Sequence, residues 1–112
     1  MKYPEINILG RKVGLKHKPL IIVELGINHV GKINLAKKII DCAKICGAEI
    51  IKNQTHMPYY EMSEEAKKIK PPNAKKNIYN LIKDSSLNKD EELEIYKYVK
   101  KKKHDFYKHS FF

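Results

Sequence analysis

This 112-residue chain contains almost no arginine and lacks tryptophan. It has no tryptophan, and Arg11 is the one arginine among 23 lysine and arginine residues. Proteins that read nucleic-acid bases commonly use arginine, whose planar fork makes paired hydrogen bonds, often beside stacking aromatic rings. The net charge of +10 therefore indicates a solvated, lysine-rich surface and no nucleic-acid partner. A small basic RNA- or anion-binding module remains the alternative interpretation.

Long apolar runs and cysteines are also scarce. The longest apolar run, Leu20 to Val23, is far too short to cross a bilayer, and the start MKYPEIN lacks the apolar core of a signal peptide. Cys42 and Cys46 are the only cysteines, which is too few ligands for a zinc site. We therefore expect packed core thiols in a reducing, cytoplasmic protein that has no membrane partner.

Residues 19–53 have the pattern of one βαβ unit. Leu20 to Val23 is an unbroken run of leucine and β-branched residues, typical of a strand covered on both faces. Apolar residues then recur at helical spacing from Leu35 to Cys46, and Gly47 follows where a left-handed C-terminal cap belongs. Glu49 to Asn53 is the second predicted strand. The two strands should be parallel, with a right-handed crossover between them.

The segments on either side of this unit are simpler. Residues 5–14 predict a β-hairpin with its turn at Gly10–Arg11. After Thr55 comes a long polar connection that contains three prolines, of the length that is usually functional or disordered. Two helices are predicted beyond it, from about residue 74 to 83 and from about residue 89 to 102.

Both predicted strands end in polar residues. Glu24 ends the first strand, while Lys52 and Gln54 lie at the end of the second and share one face because they are two residues apart. Parallel neighbours end at the same edge of a sheet, so the charged groups of Glu24 and Lys52 should lie within about 10 Å of each other. Two simpler roles remain open: Glu24 capping backbone amides, and Lys52 extending to water.

Asn28 and His29 follow Glu24 in the first loop. An asparagine accommodates turn conformations well, and a single histidine is more often a hydrogen-bonded structural group than a ligand. Gly26 and Gly31 have a spacing that matches no phosphate-binding glycine loop. We therefore interpret this loop as structural support for the end of the strand.

Three segments together resemble a known family: PLIIVELGINHVG (residues 19–31), EIIKNQTH (49–56) and EMSEEAKKIKPPNA (61–74). They are similar to the amino-terminal part of the sialic acid (N-acetylneuraminate) synthases, and the resemblance runs from about Ile6 to Val99. It implies an α/β fold made of the first βαβ units of a TIM (β/α)8 barrel. The barrel would be incomplete, because a whole one needs about 250 residues.

The resemblance also implies a function. The family condenses phosphoenolpyruvate with N-acetylmannosamine or a related acyl-sugar, including those of legionaminic and pseudaminic acid synthesis. The full-length proteins are homodimers that use manganese or magnesium, whereas no cofactor and no metal ligand are expected in this fragment.

The same resemblance assigns roles to individual residues. It makes Glu24 catalytic, in proton transfer or in organising the intermediate, and places Lys52 against phosphoenolpyruvate. Gln54 would lie beside the sugar, and Asn73 would help to hold the acyl-sugar. The chain departs from the family's histidine at Asn53, from its acidic residues at Tyr59 and Tyr60, and from its glycine at Pro72. These departures affect substrate choice or loop shape more than the fold.

Residues 104–112, HDFYKHSFF, make a poor strand where the synthases have MIFISTPFS. Moving the back-translated codons forward by one base permits Met, Ile, Phe, Ile, Ser, Thr, Pro and Phe in that order. The four lysines at 100–103 imply an adenine tract just upstream, and a polymerase or a sequencing reaction slips on such a tract. We therefore predict an out-of-frame tail, which an in-frame stop with no synthase sequence in the neighbouring frame would contradict. A fragment with two strand ends should be inactive alone.

Overall fold

The computed structural model describes residues 2–104 of the chain. Its strands are Glu5–Ile8 (β1), Arg11–Gly14 (β2), Ile22–Leu25 (β3) and Ile50–Asn53 (β4). Its helices are Ile33–Ile45 (α1), Pro58–Glu61 (α2), Glu64–Lys67 (α3), Ile78–Ser85 (α4) and Lys89–His104 (α5). Within this range the strands form two separate two-stranded sheets, β1–β2 and β3–β4. Of the predicted out-of-frame tail, residues 105–112 lie outside the described part.

The amino-terminal hairpin is confirmed, but its turn lies one residue earlier than predicted. β1 and β2 are antiparallel, and Ile8 is paired with Arg11, so the turn residues are Leu9 and Gly10. Both have positive φ, 48° and 91°, as a tight two-residue hairpin turn requires. The side-chain oxygen of Asn7 accepts the Gly10 N–H at 2.7 Å. Arg11 therefore belongs to the strand and not to the turn.

The predicted βαβ unit is confirmed. β3 and β4 are parallel, with α1 between them in the chain, and Ile22 is paired with Ile50. Gly47 has φ 83° just after α1, as its predicted capping role requires. The expectation that the first strand is covered on both faces is wrong for the described residues. Ile21 and Ile22 are each 50% exposed, because the helices pack against only one face of this small sheet.

The buried core lies between that face, α1 and α5. Its buried members are Leu25, Ala36, Ile40, Leu87, Ile95 and Val99. Burying a leucine or isoleucine side chain contributes roughly 1.5–3 kcal/mol, so this small cluster stabilises the fold. At the edge of the core, the Tyr98 hydroxyl donates to the Asp41 carboxylate at 2.8 Å, which joins α5 to α1.

The two cysteines are exposed, so the prediction of packed core thiols is wrong. Cys42 lies in α1 and Cys46 is at its carboxyl end. The buried positions of α1 are Ala36, Ile40 and Ala43. Those positions follow the helical repeat and turn toward the core, and Cys42 and Cys46 lie just outside that stripe.

Helices α4 and α5 start at polar caps. Asn77 accepts the Asn80 N–H at 2.9 Å and sets the start of α4 four residues later than predicted. Asn88 and Glu91 exchange hydrogen bonds, each 2.9 Å long, at the start of α5, which is a reciprocal capping arrangement. The long connection contains the short helices α2 and α3, which were not predicted. No helix within residues 2–104 is long and apolar enough to cross a membrane.

Arg11 fastens the hairpin to the start of β4. Its Nε and Nη2 atoms lie 2.8 and 3.1 Å from the two carboxylate oxygens of Glu49. Nη2 also donates to the carbonyl oxygen of Lys18 at 2.8 Å. The hydrogen bonds from Arg11 hold the pKa of Glu49 below its ordinary value. The one arginine of the chain therefore has a structural role, at the end of the sheet opposite Glu24 and Lys52.

Candidate functional site

Glu24 and Lys52 lie opposite each other at the carboxyl ends of the two parallel strands. They are directly paired in the β3–β4 register, and the Lys52 Nζ donates to Glu24 Oε1 at 2.5 Å. Their side chains are 67% and 57% exposed, so both charged groups can meet a solute. The predicted proximity at one edge is confirmed. We call Glu24, Lys52 and Gln54 the rim.

Gln54 completes the rim beside Gly26. Its backbone N–H donates to the Leu25 carbonyl at 2.8 Å, which continues the pairing one step beyond the strands. Its side-chain Oε1 lies 3.1 Å from the point where a Cβ atom on Gly26 would stand. A side chain at position 26 would therefore displace the Gln54 amide. The glycine lets the two strand ends approach closely.

The loop after Glu24 is held by its own side chains, as its structural interpretation predicted. Asn28 accepts the Gly26 N–H and donates to the Glu24 carbonyl, each at 3.1 Å. His29 is 2% exposed, and its Nδ1 accepts the Gly31 N–H at 3.2 Å. Burial lowers the pKa of His29, although the nearby carboxylates of α5 oppose that shift. The loop therefore fixes the backbone that carries Glu24.

The fourth predicted site residue, Asn73, is not hydrogen-bonded to the rim within the described residues. Asn73 is exposed in a turn that the Ala74 N–H closes on the Pro71 carbonyl at 3.0 Å. Among residues 2–104, no hydrogen bond or ion pair joins Asn73 to any rim residue. The structure therefore brings three of the four candidates together.

The sequence reasoning missed Glu92. Its Oε2 accepts hydrogen bonds from Asn53 Nδ2 at 2.7 Å and from the Thr55 hydroxyl at 3.1 Å. Both donors alternate with Lys52 and Gln54 along the chain, so they project to the other side of β4, toward α5. In the sequence, Glu92 is one of three consecutive acidic residues at the start of the second predicted helix, where negative charge suits the helix dipole. Strand alternation combined with those acids was the one available signal for this contact.

The family of this chain follows from a match to a protein-family model. The model of the NeuB family matches residues 39–111, which is more than half of the chain. The chain belongs to the NeuB family.

Individual relatives agree with this membership. The NeuB chain is 44% identical over 57 residues to N-acetylneuraminate-9-phosphate synthase of Mus musculus, covering 51% of this chain and 16% of that protein. It is 47% identical over 51 residues to N,N'-diacetyllegionaminic acid synthase of Campylobacter jejuni, covering 46% of this chain and 15% of that one. The resemblance to sialic acid synthases is thereby confirmed.

A solved structure supports the same fold. The sialic acid synthetase of Leptospira borgpetersenii, crystallised with citrate, superposes with a TM-score of 0.63 and 30% identity, covering 89% of this chain and 32% of that one. The α/β fold of sialic acid synthase structures is therefore shown. This NeuB chain spans about a third or less of the length of these relatives.

The divalent cation implied by the resemblance does not fit the described residues alone. No group of three or more His, Cys, Asp or Glu residues in the described part is arranged to hold a metal ion.

Two of the family departures lie together on the connection. Tyr59 and Tyr60 in α2 are 65% and 79% exposed, and their rings meet edge to face with centroids 5.1 Å apart. The ammonium of Lys67 lies 4.5 Å from the centre of the Tyr59 ring. Acidic side chains could not stack in this way, so the tyrosines give this connection its own packing.

Proposed function

We propose that the rim is the part of a synthase active site that holds phosphoenolpyruvate beside an acyl-sugar. One observation supports this most strongly: an exposed ammonium and an exposed carboxylate lie 2.5 Å apart at the carboxyl ends of neighbouring parallel strands. That end of an α/β barrel carries the active site. The sugar would be N-acetylmannosamine or a close relative.

Lys52 is the proposed anion-binding residue. Its ammonium is a compact positive charge with three donors, and the hydrogen bond to Glu24 uses one of them. More than half of its side chain is exposed, which leaves room for a phosphate or carboxylate on the open side. The ion pair with Glu24 fixes where that charge stands before the substrate arrives.

Glu24 is the proposed catalytic residue. In the proposed reaction, the methylene carbon of phosphoenolpyruvate bonds to the aldehyde carbon of the open-chain sugar, and water adds at the phosphate-bearing carbon of phosphoenolpyruvate. The bond from that carbon to the phosphate oxygen then breaks, so that inorganic phosphate leaves and a keto group remains. The aldehyde oxygen gains a proton, and the entering water loses one proton as it adds and its second as phosphate departs. A carboxylate held at the rim could carry one of these protons or orient the intermediate.

Gln54 and Asn73 are proposed to contact the sugar. The Gln54 amide lies at the rim beside Gly26 and offers both a donor and an acceptor to hydroxyl or acyl groups. Asn73 would have to approach from the connection, and its exposed turn leaves its amide accessible. A homodimer and a divalent cation in the full-length protein, and a cytoplasmic location, are part of the same proposal.

The 112-residue chain alone should not turn over substrate. Two strand ends cannot fix two substrates at once, and correct mutual positioning supplies a large share of such a rate enhancement. The chain should nevertheless retain weak binding of phosphoenolpyruvate, because Lys52 and the Glu24 carboxylate that holds it are both present.

Phosphoenolpyruvate titration into the isotope-labelled chain tests this proposal. In NMR spectra we expect shifts confined to residues 24–28 and 52–54. Lys52→Ala should abolish them, while Lys76→Ala should keep them. Lys76 is the matched control, since it is as exposed as Lys52 and also has an acidic partner at 2.5 Å, Asp84.

Equal losses in the two variants, or shifts spread over many lysines, would contradict the proposal and favour the small basic binding module. That alternative makes its own prediction: binding to random RNA should weaken steeply with added salt.

A further inference from the structure

Glu92 lies behind the rim and bonds to both residues that flank Gln54. Asn53 Nδ2 and the Thr55 hydroxyl donate to the same oxygen, Glu92 Oε2, at 2.7 and 3.1 Å. The three residues come from β4, from the segment that follows it, and from the first turn of α5. One carboxylate thus joins the end of the strand to a helix that begins 36 residues later.

The orientation of the Asn53 amide shows which contact dominates. Its Oδ1 atom is buried and has no hydrogen-bond partner within the described residues. The opposite orientation would turn that oxygen toward the Glu92 carboxylate, and two acceptors would then face each other. The hydrogen bond that the amide donates to the Glu92 carboxylate therefore outweighs the missing hydrogen bond at Asn53 Oδ1, because hydrogen bonds to charged groups are the stronger ones.

This contact has a geometric consequence for the rim. Residues 52 and 54 alternate with 53 and 55, so holding one pair on the helix side directs the other pair to the opposite side. Gln54 is also held by its N–H bond to the Leu25 carbonyl. Asn28 braces the Glu24 strand end, and Glu92 does the same for the end that carries Lys52.

The first turn of α5 is a favourable place for Glu92. It lies in the first turn of α5, where the partial positive charge of the helix terminus favours a negative group. Its backbone N–H donates to the Asn88 carbonyl at 2.9 Å, so the helix fixes the residue itself.

We propose that Glu92 is a positioning residue, which orients Lys52 toward phosphoenolpyruvate and Gln54 toward the sugar by holding Asn53 and Thr55. The part that concerns the substrate rests on the proposed function. Glu92 does not touch the substrate in this proposal.

Hydrogen exchange of the full chain tests the positioning without any substrate. In Glu92→Ala, we expect the Gln54 amide to exchange at least 10-fold faster, while the Ile50 amide, which bonds to the Ile21 carbonyl, changes less than 2-fold. Glu92→Gln keeps an acceptor oxygen, so it should stay within about 3-fold of the parent at Gln54. Glu94→Gln is the matched control, because Glu94 lies on the same helix and pairs with Lys37 instead.

Phosphoenolpyruvate binding gives the second measurement. Glu92→Ala should weaken binding at least 3-fold, whereas Glu92→Gln and Glu94→Gln should change it less than 2-fold. If the parent chain binds no phosphoenolpyruvate, the proposed function fails, but the exchange experiment still decides the role of Glu92.

Other outcomes overturn the positioning role itself. These are an unchanged Gln54 amide in Glu92→Ala, an equal effect in Glu94→Gln, or a Glu92→Gln variant as impaired as Glu92→Ala. If Glu92→Ala does not fold, Thr55→Val removes one of the two donors and should speed Gln54 exchange at least 3-fold. No change in that folded variant would likewise overturn the proposal.

Discussion

Replacing Leu25 by alanine should destabilise the chain more than any change at the exposed rim. Leu25 is fully buried and lies in the core cluster with residues of α1 and α5. It also follows Glu24 directly, so the packing of its side chain fixes the strand that carries the proposed catalytic residue.

The expected loss follows from burial. Leucine-to-alanine changes in a core cost about 2–5 kcal/mol, and more where the surroundings cannot close the cavity. A domain of this size is stable by at most roughly 5–15 kcal/mol, and this chain has only seven buried apolar residues in its described part. A loss of about 3 kcal/mol would lower the melting temperature by roughly 12–24 °C. The variant should therefore lose a large fraction of the total stability.

Urea unfolding followed by circular dichroism measures this loss. Ile22→Ala is the matched control, since Ile22 lies on the same strand but is half exposed and should cost only about 1 kcal/mol. Equal unfolding midpoints for the two variants would refute the assignment of the core to this face of the sheet.

Three further predictions concern the hairpin, acid and overall stability. Arg11→Lys should speed amide exchange in residues 5–14 several-fold and leave β3 unchanged, because lysine cannot bind both Glu49 oxygens and a carbonyl at once; equal rates in the parent would contradict this. The pKa of Glu49 is lowered from 4.5 by Arg11, so its stabilisation is present above that pH and is lost as the pH falls through the lower, folded value. When the pH is lowered to below 4.5, the urea concentration at the unfolding midpoint should thus fall less in Glu49→Gln than in the parent. An equal fall in both would show that Glu49 does not contribute to the loss of stability in acid. Finally, the amides of residues 20–52 should be less protected in hydrogen exchange than those of a stable small domain, since both outer edges of the β3–β4 sheet are open in the described part; protection typical of a stable small domain would show that prediction to be wrong.

Local signals were sufficient to predict the βαβ unit and the proximity of its polar ends. An apolar run, a helical repeat and Gly47 specify strand, helix and cap, and parallel pairing then places Glu24 beside Lys52. These features depend on neighbours in sequence or on a topology with one common handedness.

Features that depend on exact orientation or on distant contacts were not predictable. Cys42 misses the buried stripe of α1 by a small rotation, which a repeat of 3.6 residues does not resolve. The turn at Leu9 and Gly10 requires positive φ at a leucine, which residue preferences do not suggest. The bond from Asn53 to Glu92 spans 39 residues, so only the packing of α5 on the sheet creates it.

Steady-state kinetics of a frame-corrected protein test most directly whether the rim binds phosphoenolpyruvate. In this protein the reading frame of the coding sequence is moved forward by one base after the Lys103 codon, as the predicted out-of-frame tail requires. The assay supplies manganese and N-acetylmannosamine. Lys52→Ala should raise the KM for phosphoenolpyruvate well above that of the parent and lower turnover, with little effect on the KM for the sugar, because only phosphoenolpyruvate is an anion. Glu24→Gln should lower turnover by about 100-fold or more with small effects on either KM. Full activity in both variants, or no synthase activity in the corrected parent, would contradict the assignment of the rim as a synthase site.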